Sequence, residues 1–222
     1  PLLHTWSLSI EIQFYLIIPL FLFIFFKFLN KNLFTLVLLV MLFSLIISTI
    51  YTYKNSITSY YFIQFRIWEF LAGSILAVLE MKNKNRTIFK NKFTNEFILL
   101  LGLILIASSI YIFSDKTLHP SYITTIPVIG TCIIIWFSNE NYLITKILSS
   151  KLFVSIGLIS YSLYLWHYPL FAFYRYSFAT GDYFLKIFVF IGLIIISLVS
   201  YLFIEKPFRI RKKTSLKFLL NF

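Results

Sequence analysis

The apolar residues of this chain come in runs of about twenty, the length that crosses roughly 30 Å of hydrocarbon, and short basic loops separate the runs. A backbone in lipid must satisfy its own N–H and C=O groups, so such runs fold as spanning helices. Seven segments can be drawn: 8–29, 33–53, 61–81, 97–114, 123–137, 153–173 and 183–204. The third carries polar residues in its first half. The expected fold is all-α, a polytopic integral membrane protein of about seven transmembrane helices. Composition agrees. Of 222 residues, 59% are hydrophobic and 13% charged, against about 25% charged in soluble domains. One soluble core of this size cannot hide so much apolar surface. No internal repeat or low-complexity linker divides the chain.

The net charge of +12 would suit nucleic acid, but its placement argues against that partner. Of the chain's 20 Lys and Arg, all but Arg66 fall in two alternating sets of loops or in the tail. One set, with the tail, holds Lys27, Lys31, Lys82, Lys84, Arg86, Lys90, Lys92, Lys146, Lys151, Lys206, Arg209, Arg211, Lys212, Lys213 and Lys217. The opposite loops hold Lys54, Lys116, Arg175 and Lys186, and Arg66 lies within a segment. The positive-inside rule places the richer set in the cytoplasm. Residues 1–7 then face outward and the basic tail 211–222 inward. The single cysteine, Cys132, lies in an apolar run. It permits no disulfide framework or cysteine metal site within the chain and reads as a small packing residue. The chain opens on Pro1 without a visible signal peptide, so residues are expected to precede it.

Ionisable groups inside a membrane segment cost roughly 2.5–3.5 kcal/mol at its centre, which makes the few present here candidates for function. The first stretch is 4–15, HTWSLSIEIQFY. If helical, it sets His4, Ser7, Glu11 and Tyr15 on one face. That face is either a proton-exchanging pair at a polar cavity or an interfacial anchor capped by Thr or Ser. The second is 65–70, FRIWEF. Arg66 and Glu69 sit three apart, with Gly73 continuing their face as a place for close helix approach. They read as a structural salt bridge between helices, or as Arg66 holding an anion through its planar guanidinium.

The third stretch is 160–169, SYSLYLWHYP, where Ser160, Tyr164 and His167 form a stripe. At 1.5 Å per residue His167 lies about 21 Å along its segment, in the outer leaflet, and Trp166 and Tyr168 fit an aromatic belt. The fourth is 203–209, FIEKPFR. There Glu205 and Arg209 pin the last helix, which Pro207 is expected to end.

Together these stretches resemble the bacterial membrane acyltransferase-3 family, which includes O-antigen and other cell-surface carbohydrate O-acetylases. The family pattern H-T-W-S-L-S-x-E-x-Q-F-Y is matched by His4 through Ser9, Glu11, Gln13, Phe14 and Tyr15. R-x-W-E-F-x-x-G is matched by Arg66, Trp68, Glu69, Phe70 and Gly73. I-S-Y-S-L-Y-L-W-H-x-P is matched from Ile159 to Pro169, and I-E-K-P-F-R from Ile204 to Arg209. A second Glu often follows the first in the opening motif; here Ile12 stands there. The resemblance implies a domain of about ten spanning helices, with this chain as its C-terminal two-thirds: residues 1–210 in the domain, 211–222 a basic cytoplasmic tail. The Arg and His of the family's first helices have no counterpart here.

The implied activity is transfer of an acyl group, usually acetyl, from cytoplasmic acyl-CoA to a hydroxyl of an extracytoplasmic carbohydrate such as an O-antigen or capsule sugar. The protein would sit in the bacterial inner membrane, with the bilayer, acyl-CoA and the acceptor as its partners and no metal or bound cofactor. The basic stretch from Lys82 to Lys92 can attract the donor's phosphates. A hydroxyl needs a base and an acyl carbonyl needs charge stabilisation. His4, Glu11 and His167 are the catalytic candidates; Arg66, Glu69, Ser7, Tyr15 and Tyr164 are the substrate-binding ones. A transporter or glycan-handling permease would share the hydropathy and the intramembrane charges without being expected to carry all four motifs. A membrane scaffold without activity would need Glu11 and Arg66 for folding only.

Overall fold

The computed structural model describes residues 2–28, 32–82, 89, 91–114, 117–177 and 183–209. The cations Lys31, Lys84, Arg86, Lys90 and Lys116 and the tail 211–222 lie outside the described residues, as does part of the stretch from Lys82 to Lys92. Among the described residues there are helices and no strand. The chain is an integral membrane protein: four helical stretches, Trp6–Phe25, Leu33–Lys54, Lys92–Ile112 and Tyr183–Arg209, are long and apolar enough to cross a bilayer. The three other predicted segments do not meet that measure. The described residues form two compact units, Trp6–Lys146 and Pro1–Thr5 with Ile147–Phe222.

The larger unit holds α1 (Trp6–Phe28), α2 (Leu33–Lys54), α3 (Ser56–Tyr61), α4 (Ile67–Lys82), α5 (Lys92–Ile112) and α6 (Thr125–Phe137). Phe14 of α1, Val37 of α2 and Leu71 of α4 form its buried apolar core, and Phe14 stacks on Phe70 with ring centroids 4.9 Å apart. Many other large apolar side chains face outward, among them Leu16 at 71% exposure and Ile110 at 79%. That is the inverse of a soluble protein and suits a lipid solvent.

The predicted third segment is not one helix. α3 ends at Tyr61, Phe62 is extended at φ −101°, ψ 135°, and a 3-10 turn at Ile63–Phe65 leads into α4. The break is held by side chains of α2. Ser44, Ser48 and Thr52 recur every four residues and make one buried polar stripe. Ser44 Oγ donates to Gln64 O at 2.8 Å. Thr52 Oγ1 lies 2.9 Å from Ser59 Oγ and 2.6 Å from Pro120 O, and Ser48 Oγ donates to the same Pro120 carbonyl at 3.1 Å. Irregular backbone at these points finds its partners in the stripe, the condition for breaking a helix within membrane depth.

Close helix approach occurs elsewhere than expected. A Cβ on Gly73 would meet nothing within 4 Å, whereas one on Gly130 would lie 2.7 Å from Gly102 O. α5 and α6 therefore pack backbone to backbone across the Gly102–Gly130 pair. Asn95, fully buried at the start of α5, ties down the chain around it. It accepts from Phe89 N–H at 3.2 Å and donates to Phe89 O at 2.7 Å and to the Tyr142 hydroxyl at 3.0 Å.

The smaller unit contains a 3-10 turn at Leu3–Thr5, α8 (Lys151–Ser177) and α9 (Tyr183–Ser200), whose helix continues as a π-turn at Tyr201–Glu205 and as α10 (Lys206–Arg209). The short α7 (Leu143–Leu148) lies at the seam in sequence between the units. Pro207 does not end the last helix as expected. Lys206 N–H bonds Tyr201 O five residues back, and the widened turn carries the chain past a residue that has no N–H to offer. The expected pin is present. Glu205 Oε2 accepts from Ser162 Oγ at 2.9 Å, and Oε1 pairs with Arg209 Nη2 at 2.8 Å.

Candidate functional site

In the smaller unit, α8 presents Tyr164, His167 and Tyr168 at spacings of three and four, so all three share a helix face. His4 is buried against them from the 3-10 turn. Its ring centroid lies 5.1 Å from Tyr164, 5.1 Å from His167 and 5.0 Å from Tyr168, the last pair stacked at 22°. The Tyr164 hydroxyl donates to the His4 carbonyl, which fixes the turn on the helix. His167 Nδ1 lies 2.6 Å from the Tyr164 carbonyl. A carbonyl only accepts, so Nδ1 carries a proton, and in the neutral form of the ring Nε2 is the nitrogen with the lone pair. The local sequence produces this geometry, because carbonyl and imidazole are three residues apart on one helix. Ser160, expected in the stripe, is exposed and turns back to donate to Gly157 O at 2.7 Å.

The larger unit holds a second cluster. Arg66 Nη2 pairs with Glu69 Oε2 at 3.0 Å. The pair closes the first turn of α4 and does not link two helices as expected. The guanidinium also lies over two rings, 5.1 Å from Trp6 and 5.6 Å from Tyr60; such cation–π contacts suit the flat, weakly hydrated Arg cation. Trp6 packs on Tyr60 and Tyr61 at 4.4 and 5.4 Å. With one edge on a carboxylate and its face on aromatic rings, Arg66 is largely compensated where it stands. Its Nε and Glu69 Oε1 are nevertheless buried without a hydrogen-bond partner among the described residues. Buried unsatisfied polar atoms need an explanation.

A residue that sequence reading missed enters here. His119, in the loop after α5, sets Nε2 3.9 Å from Glu69 Oε1, and its ring meets Tyr60 edge-on at 5.7 Å. Burial, and then the nearby Arg66 charge, lower its pKa from 6.5 to about 4, so it is neutral at physiological pH. Fifty residues separate His119 from Glu69, and no helical spacing joins them. The only local signal was a His-Pro pair between two short polar runs.

Of the remaining candidates, Glu11 and Tyr15 do share a face of α1: the Tyr15 hydroxyl donates to Glu11 Oε1 at 2.8 Å. Ser7 is half-buried in the first turn of the same helix. Before it, Thr5 Oγ1 donates backward to Leu2 O at 2.8 Å. His4 sits on the 3-10 turn before α1, so the predicted continuous helical stripe from His4 to Tyr15 begins only after it. Among the described residues, no three His, Cys, Asp or Glu side chains are grouped to hold a metal.

A helical membrane domain with imidazole, carboxylate and guanidinium groups gathered in polar clusters is the setting of a membrane-embedded group-transfer or transport protein. The chain belongs to the acyltransferase-3 family: the family model described as the acyltransferase domain matches residues 1–205. It is similar to the proteins named O-acetyltransferase OatA of Staphylococcus aureus strains NCTC 8325 / PS 47, COL and MRSA252. Each is 32% identical over 225 residues, covering 96% of this chain and 36% of the relative. The chain thus spans about a third of the length of these relatives. No solved structure matches it.

Proposed function

We propose that the protein, residues 1–210 forming its membrane domain and 211–222 a basic cytoplasmic tail, transfers an acyl group from acyl-CoA to a hydroxyl of an extracytoplasmic carbohydrate. O-antigen or capsule sugar is the acceptor class. The relatives' name, O-acetyltransferase, supports acetyl as the group and oxygen as its acceptor. The observation that carries the reading is the contact of His167 Nδ1 with the Tyr164 carbonyl. With Nδ1 bound to a carbonyl at 2.6 Å, Nε2 is left as an oriented acceptor for a hydroxyl proton. In the step we infer, the sugar O–H proton passes to Nε2 while the oxygen attacks the acyl carbonyl carbon. A new C–O bond forms, the bond from carbon to the donor's leaving group breaks, and the leaving group takes up the proton. General-base help of this kind is worth about 10²–10⁴ in rate.

His4, stacked beside His167, and Glu11, held by Tyr15, are the other proton-handling groups. Tyr164 and Ser7 are positioning or binding groups. Glu69 and Arg66 belong to acceptor binding and charge stabilisation. Family membership weighs against a permease without acyl chemistry.

Deleting the gene and measuring ester groups on surface glycans by mass spectrometry tests the proposal. Loss of esters, restored by the wild-type gene, is expected; an unchanged ester pattern refutes it. The orientation, in a bacterial cytoplasmic membrane with residues 1–7 outside and the C-terminus inside, rests on the distribution of Lys and Arg. In a Cys132→Ser background, an impermeant thiol reagent added to intact cells should label Ser56→Cys and spare Lys82→Cys. The reverse result overturns the orientation.

A further inference from the structure

Two adjoining cavities in the larger unit, of about 560 and 420 Å³, share Tyr60, Thr117 and His119 as walls. Their size is that of small-molecule sites. Glu69 and Thr124 close the larger one; Ser56 and Tyr61 line the smaller. The polar groups facing this space are unusual in kind. Glu69 Oε1 is buried and accepts no hydrogen bond among the described residues. His119 Nε2 stands 3.9 Å away, too far for a direct bond and right for one oxygen between them. Thr117 Oγ1 accepts from Ser114 N–H at 3.0 Å and keeps its own proton to donate. Beside them the Tyr60 ring, backed by Trp6, offers an apolar wall.

We propose that this double cavity is a sugar subsite for the acceptor, in which one sugar hydroxyl bridges His119 Nε2 and Glu69 Oε1 and the ring's C–H face packs against Tyr60. The proposal deepens the carbohydrate-acyltransferase reading and rests on it. The chemistry selects this ligand class over the donor. A hydroxyl both donates and accepts, so it satisfies a carboxylate and an imidazole together. The phosphates of an acyl-CoA would meet a carboxylate, an uncharged imidazole and an arginine already engaged by Glu69. The low pKa of His119 agrees with a hydrogen-bonding role and not with proton storage at neutral pH. The site is also built, not incidental. The Pro120 carbonyl next to His119 is held by Ser48 and Thr52, and Gln64, two residues before Arg66, is held by Ser44 of the same stripe.

The test uses the full-length protein in detergent, with surface glycan of the host cell released by mild hydrolysis as the acceptor. His119→Ala should raise the acceptor KM about tenfold, the worth of one buried hydrogen bond, while kcat falls less than threefold. Tyr60→Leu should also raise KM. His119→Gln, which keeps a donor and an acceptor, should recover part of the loss and serves if the Ala variant does not accumulate. An unchanged KM in His119→Ala, or a fall in kcat at constant KM, overturns the subsite. Saturation-transfer NMR of the same glycan without donor separates the two readings. Wild-type binding that His119→Ala weakens, with no acyl transfer by wild type, supports the subsite and refutes the acyltransferase reading. Transfer by wild type with binding equal in wild type and His119→Ala refutes the subsite alone.

Discussion

The cluster on α8 and the cluster around Glu69 are built on different plans. On α8, Tyr164, His167 and Tyr168 follow one helical face, and the bond that fixes the His167 tautomer spans three residues. The Glu69 cluster gathers Trp6, Tyr60, Arg66, Glu69 and His119 from separate elements. Its supports are the hydroxyls of yet another element, α2. A site carried by one helix survives small movements of its surroundings, because helix geometry alone sets its spacings. A site assembled from several segments depends on every anchor. The α8 cluster should therefore respond to changes at its own side chains, and the Glu69 cluster also to changes at its supports.

The largest effect expected is on chemistry. His167→Gln in the full-length protein should lower acyl transfer by about 10²–10⁴, the range of a lost general base, with normal membrane accumulation. Glu11→Gln should cost about tenfold, the lesser loss of an auxiliary proton-handling group. A His167→Gln enzyme of near-normal rate would remove the α8 cluster from catalysis and reverse the comparison.

Next comes the cost of unbalancing the other cluster. Arg66→Gln leaves the mostly buried Glu69 carboxylate without its cation and should destabilise the fold by about 3 kcal/mol, as for a broken buried pair. The double variant Arg66→Gln/Glu69→Gln should recover most of that loss. Thermal unfolding in detergent measures both; equal losses in the single and double variants would show that the pair itself is not what matters.

A smaller effect separates two glycines. Gly130→Ala puts a Cβ 2.7 Å from Gly102 O and should cost about 2 kcal/mol through overpacking. Gly73→Ala meets nothing within 4 Å and should be neutral or slightly stabilising, since Ala is the better helix former. Similar melting temperatures for the two variants would contradict the close α5–α6 contact.

A further expected effect is a slope with pH. His119 has a folded pKa of about 4 against an ordinary 6.5, so between those values the unfolded chain binds more protons than the folded one. Stability should then rise with pH from about 4 to about 6.5 and level off above, as linkage requires. In His119→Gln that part of the slope should vanish. A wild-type curve no steeper than the variant's would mean that the imidazole is not desolvated as the geometry describes.

Much of this was legible in the residue order. The runs at 8–29, 33–53 and 183–204 became helices with shifts of a few residues, because hydrocarbon thickness fixes the length of an apolar helix whatever its neighbours are. The Tyr164–His167 and Glu11–Tyr15 pairs were readable too, since 3.6 residues per turn sets which side chains meet. The four motifs placed the chain in its family. The break between Tyr61 and Ile67 was not legible, because it depends on Ser44 of another helix accepting the role of partner to Gln64. Gly73 looked like the packing glycine, and Gly102 with Gly130 proved to be the pair in contact. Spacing within one helix cannot say which face a second helix will cover. His119 joined Glu69 only through the fold. The sequence by itself thus determined the solvent, the class of fold and pairs within one helix such as Tyr164–His167 and Glu11–Tyr15. Tertiary structure alone decided which loops reach which helices, because long-range pairing depends on packing that no local period records.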